Sequence, residues 1–245
     1  MGKGGVDREI YRGRVKDSRL FGFRVQVEQT DLFIRAEKDL SPEALSLVRD
    51  SRSRIVNWSG NHPDFLTSLE PQANDPLAPP PVKAMLAAGQ LAGVGPMAAV
   101  AGGIADFVGS GLQSHSPAGV IVENGGDIFL ASQSEITVGI YAGDSPLSMQ
   151  LGLVIKPEQT PVGVCTSSRS IGHSLSLGRP DTAMVVADSA ALADAAATGL
   201  GNRVSRVKDI EPALAWALDI AGVRGAVVII KDRIGFLGDL QLISI

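Results

Sequence analysis

The stretch AMVVADSAALADAAATGL, residues 183–200, passes from an apolar strand at 183–187 straight into an alanine-rich helix at 189–200. Working outward, residues 151–155 and 162–165 read as two further strands upstream, rich in Val, Ile and Leu. Downstream comes a second helix at 211–221, then strands at 226–231 and 234–237 joined as a hairpin through Asp232-Arg233. The order is strands, two helices, strands. The first half spells the same order at greater length. Residues 8–16 and 21–36 are strand-like, and Phe23, Val25 and Val27 alternate with Arg24, Gln26 and Glu28 until Asp31 breaks the run. Ser41-Pro42-Glu43 opens a helix that carries to about residue 58, with Ser41 as a suitable cap and Pro42 fitting the first turn. After a Pro-rich connection at 61–81, helices at 82–90 and 96–112 precede short strands at 120–122, 128–131 and 136–141. The sequence therefore predicts an α+β chain forming one domain over 1–245, with pseudo-repeats of about 1–145 and 146–245.

Composition narrows the function. Of the 245 residues, 44% are hydrophobic but only 4% aromatic, and the net charge is −4. Few stacking rings and no long Lys/Arg run argue against nucleic acid. Cys165 is the single cysteine, so no intramolecular disulfide forms, and no Cys/His spacing suggests zinc. Residues 1–11 are Gly-rich and charged, without an apolar stretch of signal-peptide length. Residues 85–112 come nearest to a membrane span, but Gly, Pro96 and Asp106 interrupt them. A cytoplasmic protein without membrane partners is expected.

Four segments could carry chemistry. Asp194 and Thr198 lie four apart on the 189–200 helix, so both side chains can share one face. A carboxylate and a hydroxyl are hard oxygen donors of the kind Mg²⁺ accepts. A solvated Asp and a Thr bonded back to its own helix explain the same letters. Asn124, Gly125, Gly126 and Asp127 follow a strand; two glycines leave backbone amides uncovered for a ligand. The competing reading is a type I′ hairpin with Asn124-Gly125 at its centre. Thr166, Ser167, Ser168 and Arg169, with His173 beyond, could hold a phosphate or supply a base, or could form an ordinary polar turn. Gly93-Val94-Gly95-Pro96-Met97-Ala98 fits the dinucleotide pattern in letters only, because it follows a helix and lacks the later acidic residue. What remains at Gly93 and Gly95 is either an anion-binding helix start or close helix packing.

Taken in order, Gly125-Gly126-Asp127, Thr166-Ser167, His173, and Ala193-Asp194 with Ala197-Thr198 resemble the motifs of the ApbE family of FAD:protein FMN transferases. Glu123 to Asp127 and the Gly93 to Gly102 segment look more like a smaller group of ApbE-like prokaryotic proteins. The resemblance implies a tandem T-fold, two sheets each backed by paired helices. It further implies FAD bound with Mg²⁺ at its diphosphate, Asp194 and Thr198 as metal ligands, and His173 as general base or as hydrogen-bond donor to the phosphate. Thr166 and Ser167 would line the same pocket. The implied activity is an Mg²⁺-dependent transferase or hydrolase acting on FAD or a related nucleotide diphosphate. The alternative is a non-catalytic protein that holds a flavin, nucleotide or small anion. The Gly-rich face at Gly102-Gly103 leaves a homo-oligomer open.

Overall fold

The computed structural model describes residues 19–167 and 180–245. Strands β1 (Phe21–Val27) and β2 (Thr30–Ala36) form an antiparallel hairpin. Phe23 and Val25 on β1 and Leu32 and Ile34 on β2 turn inward, every second residue as the pleat requires. The chain reverses at Glu28, whose φ is 52°, and not at Asp31. Asp31 lies within β2 opposite Gln26 and accepts from Arg24 Nε at 2.6 Å.

Helix α1 (Ser41–Asn61) carries Pro42 in its first turn, and the carboxylate of Asp39 accepts from Ser41 N at 2.9 Å. Ser41 is thus the first helical residue rather than the cap. Within the Pro-rich connection a short helix, α2 (Asp64–Thr67), buries Phe65 completely. Helix α3 (Pro80–Ala92) starts on two prolines and stops at Gly93, where φ is 66°. A 3-10 turn (Pro96–Ala99) then leads into α4 (Val100–Leu112). Five strands follow: β3 (Gly119–Asn124), β4 (Asp127–Ser132), β5 (Ile136–Gly139), β6 (Leu151–Ile155) and β7 (Val162–Ser167). The chain closes with β8 (Thr182–Ala187), α5 (Ala190–Arg203), α6 (Ile210–Leu218), β9 (Val223–Ile230), β10 (Arg233–Gly238) and β11 (Gln241–Ser244).

Eight strands form one antiparallel sheet in the order β1-β2-β3-β4-β7-β8-β9-β10. The expected order does occur twice: β1-β2, helices, β3-β4, and then β7-β8, α5-α6, β9-β10. The expectation of two separately backed sheets differs from this arrangement. β4 pairs with β7 from Ile128↔Val164 to Leu130↔Val162, so both groups of four strands share one sheet. Pairing at this seam leaves neither inner edge with open backbone groups. The second sheet is smaller, in the order β11-β6-β5.

Two cores result. On the helix side, Ile34, Val122, Phe129, Cys165 and Val185 pack against Val48, Met85, Val108 and Leu200. On the other side, Ile128, Val164, Met184 and Val227 pack against Ile136, Val138, Leu153 and Ile155 of the small sheet. Among the described residues no single helix is long and apolar enough to cross a membrane; α3 and the Pro96–His115 segment pass that test only as a pair bent by 109°. Met85, Val108 and Leu112 of these segments are core residues, whereas Leu91 is exposed.

Candidate functional site where two helix N-termini cross

Helix α5 is buried along almost its whole length, and its alanines are what make that possible. Ser189 caps it, its hydroxyl accepting from Leu192 N at 3.2 Å. A Cβ at Gly163 of β7 would lie 2.4 Å from Ala190 Cα, and one at Gly102 of α4 would lie 2.1 Å from Ala190 O and 2.9 Å from Asp194 Cβ. Strand and helix approach α5 this closely only because both positions are glycine.

At the crossing, each helix lends a carboxylate to the other. Asp106 of α4 accepts from Ala190 N and Ala191 N, both at 2.8 Å. Asp194 of α5 accepts from Gly102 N at 2.9 Å through Oδ2. These amides belong to first turns, where no carbonyl of the same helix can take them and the helix dipole favours negative charge. Burial nevertheless dominates the electrostatics. It pushes the Asp194 carboxyl well above the usual range, the charge of Asp127 pushes it further, and the amides of Gly102 and Ala101 only partly oppose them. Asp106 is pushed up to about 6 by burial, against the pull of the Ala191 and Ala190 amides. Cys165 is buried on β7, with Sγ donating to Ala190 O at 3.3 Å. Burial raises its thiol, and so do the charges of Asp127, Asp194 and Asp106. A thiol so disfavoured as thiolate is no nucleophile.

The Asp106 shift has a measurable consequence. A carboxyl near 6 in the folded chain and near 3.8 when unfolded holds its proton more tightly in the native state. Its stabilising contribution is full below about pH 4 and is lost as pH rises through 6. Wild-type stability, measured by urea unfolding relative to Asp106→Asn, should therefore fall by roughly 2–2.5 kcal/mol from pH 4 to pH 7. A difference independent of pH would contradict this placement of the charge.

The β3–β4 turn reaches the same crossing. Gly125, with φ of 69°, and Gly126 form its centre, and Asn124 pairs directly with Asp127. The centre is one residue later than the expected Asn124-Gly125, and Gly at the first central position fits a type II′ turn. The shift moves each β4 residue two places along β3 and so changes its partner but not its face. Phe129 and Val122 belong to the helix-side core, so Asn124 and Asp127 fall on that side. Asn124 Nδ2 donates to Ala101 O at 3.0 Å, and Asp127 is 8% exposed. Glu123, 2% exposed, shares the opposite face with Ile121 and Ile128.

Strand alternation likewise divides the next motif. Thr166 pairs with Met184 and shares its face toward the small sheet, while Ser167 pairs with Ala183 on the helix side. Thr166 stays in touch with the turn, its hydroxyl donating to Gly126 O at 3.1 Å; a Cβ at Gly126 would lie 2.5 Å from that hydroxyl. Ser168 and His173 lie outside the described residues. Thr198 follows Asp194 by one turn of α5 and is 7% exposed. Gly93 ends α3, and Gly95 is buried with its amide donated to Leu69 O at 2.9 Å. A Cβ at Gly95 would fall 1.8 Å from Ser68 O, which favours the packing reading of that segment. The Gly102-Gly103 face packs within the chain, Gly103 against Met85.

Sequence reasoning brought Asn124, Gly125, Gly126, Asp127, Thr166 and Asp194 to one place, but it missed Asp106. The only signal was a lone carboxylate in an apolar helix, four residues after Gly102. Among the described residues, no group of three or more His, Cys, Asp and Glu side chains is arranged to hold a metal ion. Any metal here would therefore depend on hydroxyl, carbonyl or water oxygens as well as carboxylates.

The architecture is that of ApbE flavinyl transferases. The Pseudomonas stutzeri flavinyl transferase ApbE in its apo form aligns with a TM-score of 0.58 and 13% identity, over 91% of this chain and 96% of that one. The ApbE protein of Thermotoga maritima aligns with a TM-score of 0.57 and 12% identity, over 88% of this chain and 96% of that one. At these identities the likeness establishes the fold. The chain belongs to the family described as AbpE bacteria, whose model matches residues 12–236. The UPF0280 protein of Methanocella arvoryzae is 40% identical over 220 residues, 90% of this chain and 89% of that relative. The UPF0280 protein of Methanocaldococcus jannaschii is 37% identical over 227 residues, 90% and 91% of the two chains.

Proposed function

We propose that the chain is a flavin-related transferase or hydrolase that cleaves the diphosphate of FAD, or of a related nucleotide, with Mg²⁺ at the α4–α5 crossing. The observation that carries this reading is the convergence of Asp194 and Asn124 on the first turn of α4, with the Asp194 carboxyl raised by burial and by the charge of nearby Asp127. Two carboxylates that oppose each other's ionisation in a desolvated place are strained as a bare pair and suited to a divalent cation. The donor set of carboxylate and hydroxyl oxygens fits a hard ion. Asp194 and Thr198 would hold the metal, and when bound it would neutralise charge on the diphosphate and leaving group.

The chain's own residues have separate tasks in this scheme. Asn124, Gly125, Gly126 and Asp127 fix the turn against α4, and Thr166 locks it through Gly126 O. Ser167 and Ser168, at the end of β7 and beyond it, would orient phosphate oxygens. His173 would take the proton from the attacking hydroxyl, of water or of an acceptor protein. Gly93 and Gly95 would shape the helix start beside the nucleotide. The two strand–helix–strand units, divided near residue 145, are read as tandem T-fold-like halves that share one sheet and act as one unit in the cytoplasm.

Incubation of the protein with FAD and Mg²⁺ tests the reading. AMP should appear, and chelation of the metal should stop it. Saturable FAD binding without AMP would identify a flavin-holding protein instead. Neither signal would remove flavin from the account.

A further inference from the structure

We propose that Asp106 is a positioning residue for the Asp194–Thr198 face, an inference that rests on the metal-site reading above. Ala190, Asp194 and Thr198 follow one another at four-residue spacing, so they form a single stripe along α5. Gly102 and Asp106 form the matching stripe on α4. The two stripes clasp twice and in opposite directions. Asp106 takes the Ala190 and Ala191 amides, and Asp194 takes the Gly102 amide. One such bond would leave α5 able to pivot about its end; two bonds from different residues fix both its rotation and its slide against α4. The near-contact of Gly102 with Ala190 O leaves no slack for a different seating. Asp194 lies only one turn beyond the amides that Asp106 holds, so any relaxation there displaces the carboxylate directly. Ser189 also caps α5, but through Leu192 N within its own helix, and so it fixes no relation between the two helices.

That contrast gives the test. Asp106→Asn keeps the size but replaces one accepting oxygen with a donor, which cannot pair with a backbone amide. Ser189→Ala removes a cap of the same helix and leaves the clasp alone. Mg²⁺ affinity by calorimetry should fall 10–100-fold in Asp106→Asn, as when other groups that orient a ligand are lost. Hydrogen exchange at the Gly102 amide should quicken at least ~10-fold in the same variant, as local opening grows easier. Ser189→Ala should leave both near wild type at similar stability. Asp106→Glu, which keeps the charge but not the reach, should shift both in the same direction and serves if Asp106→Asn does not fold. Equal effects from Asp106→Asn and Ser189→Ala, or unchanged Gly102 exchange in Asp106→Asn, would overturn the inference. Absence of Mg²⁺ binding in wild type would instead overturn the metal-site reading, with Gly102 exchange still deciding the role of Asp106.

Discussion

Asp194→Asn should lower Mg²⁺-dependent AMP release from FAD by on the order of 10²–10³-fold, while leaving the metal-free protein at least as stable as wild type at pH 7. The two halves of this result have one cause. Asparagine matches the shape of aspartate and still offers an oxygen to the Gly102 amide, so the packing against α4 survives. What it removes is a carboxyl whose ionised form is disfavoured first by burial and then by Asp127. A carboxyl whose ionised form the surroundings disfavour weakens the folded state at neutral pH and is typical of a functional position. If Asp194 served only as a cap, the same substitution would leave AMP release near wild type, because asparagine accepts from the Gly102 amide as aspartate does. Urea unfolding beside an AMP assay separates the cases: intact AMP release from a folded Asp194→Asn variant contradicts the functional role.

Gly102→Ala should have the largest structural effect on the site. The added methyl would meet Ala190 O at 2.1 Å, and because that atom is backbone, α4 or α5 must shift as a whole. Overpacking of this kind costs about 1–3 kcal/mol. For a chain of this size that corresponds to a fall in melting temperature of roughly 2–12 °C. Because the displaced segment carries both clasps, Mg²⁺ binding should be lost together with the stability. Gly109→Ala provides the comparison on the same helix, where the methyl would meet the Phe129 ring at 2.1 Å, away from the crossing. It should lower the melting temperature without abolishing Mg²⁺ binding. Identical binding losses in the two variants would mean that the crossing has no special part in the site.

The sequence was most legible where local rules suffice. Alternation of Phe23, Val25 and Val27 marks β1, and the prolines at 80–81 and 96 together with Gly93 mark the helix ends. The repeated strand–helix–strand order could be read because each unit is contiguous. Three features could not be read, each for a physical reason. The β4–β7 seam joins strands whose pairing neither segment encodes alone, so one large sheet looked like two. Strand β11 has only four residues, and its partner is β6, far back in the chain. Asp106 finds its partners 84 and 85 residues away, and those partners are backbone amides of alanines, which leave no trace in the letters.

At the site itself, residue types were legible and facing was not. Placing the turn centre at Asn124-Gly125 instead of Gly125-Gly126 pairs Asp127 with Val122 rather than with Asn124, two residues off although on the same face. The observed register sets Asp127 directly beside Asn124 on the helix side, with Glu123 on the other face. The spacing of Asp194 and Thr198 gave their common face but could not say what that face meets. Gly102 and Asp106 are what it meets, at least near Asp194.

A crystal structure of the protein grown with Mn²⁺ and FAD would test the central claim most directly, since manganese can replace magnesium on oxygen ligands and reports its own position by anomalous scattering. The account predicts a single strong peak coordinated by Asp194 and Thr198, with the flavin diphosphate against it and the Asn124–Asp127 turn alongside. A peak elsewhere, with Asp194 still occupied only by helix amides, would contradict it.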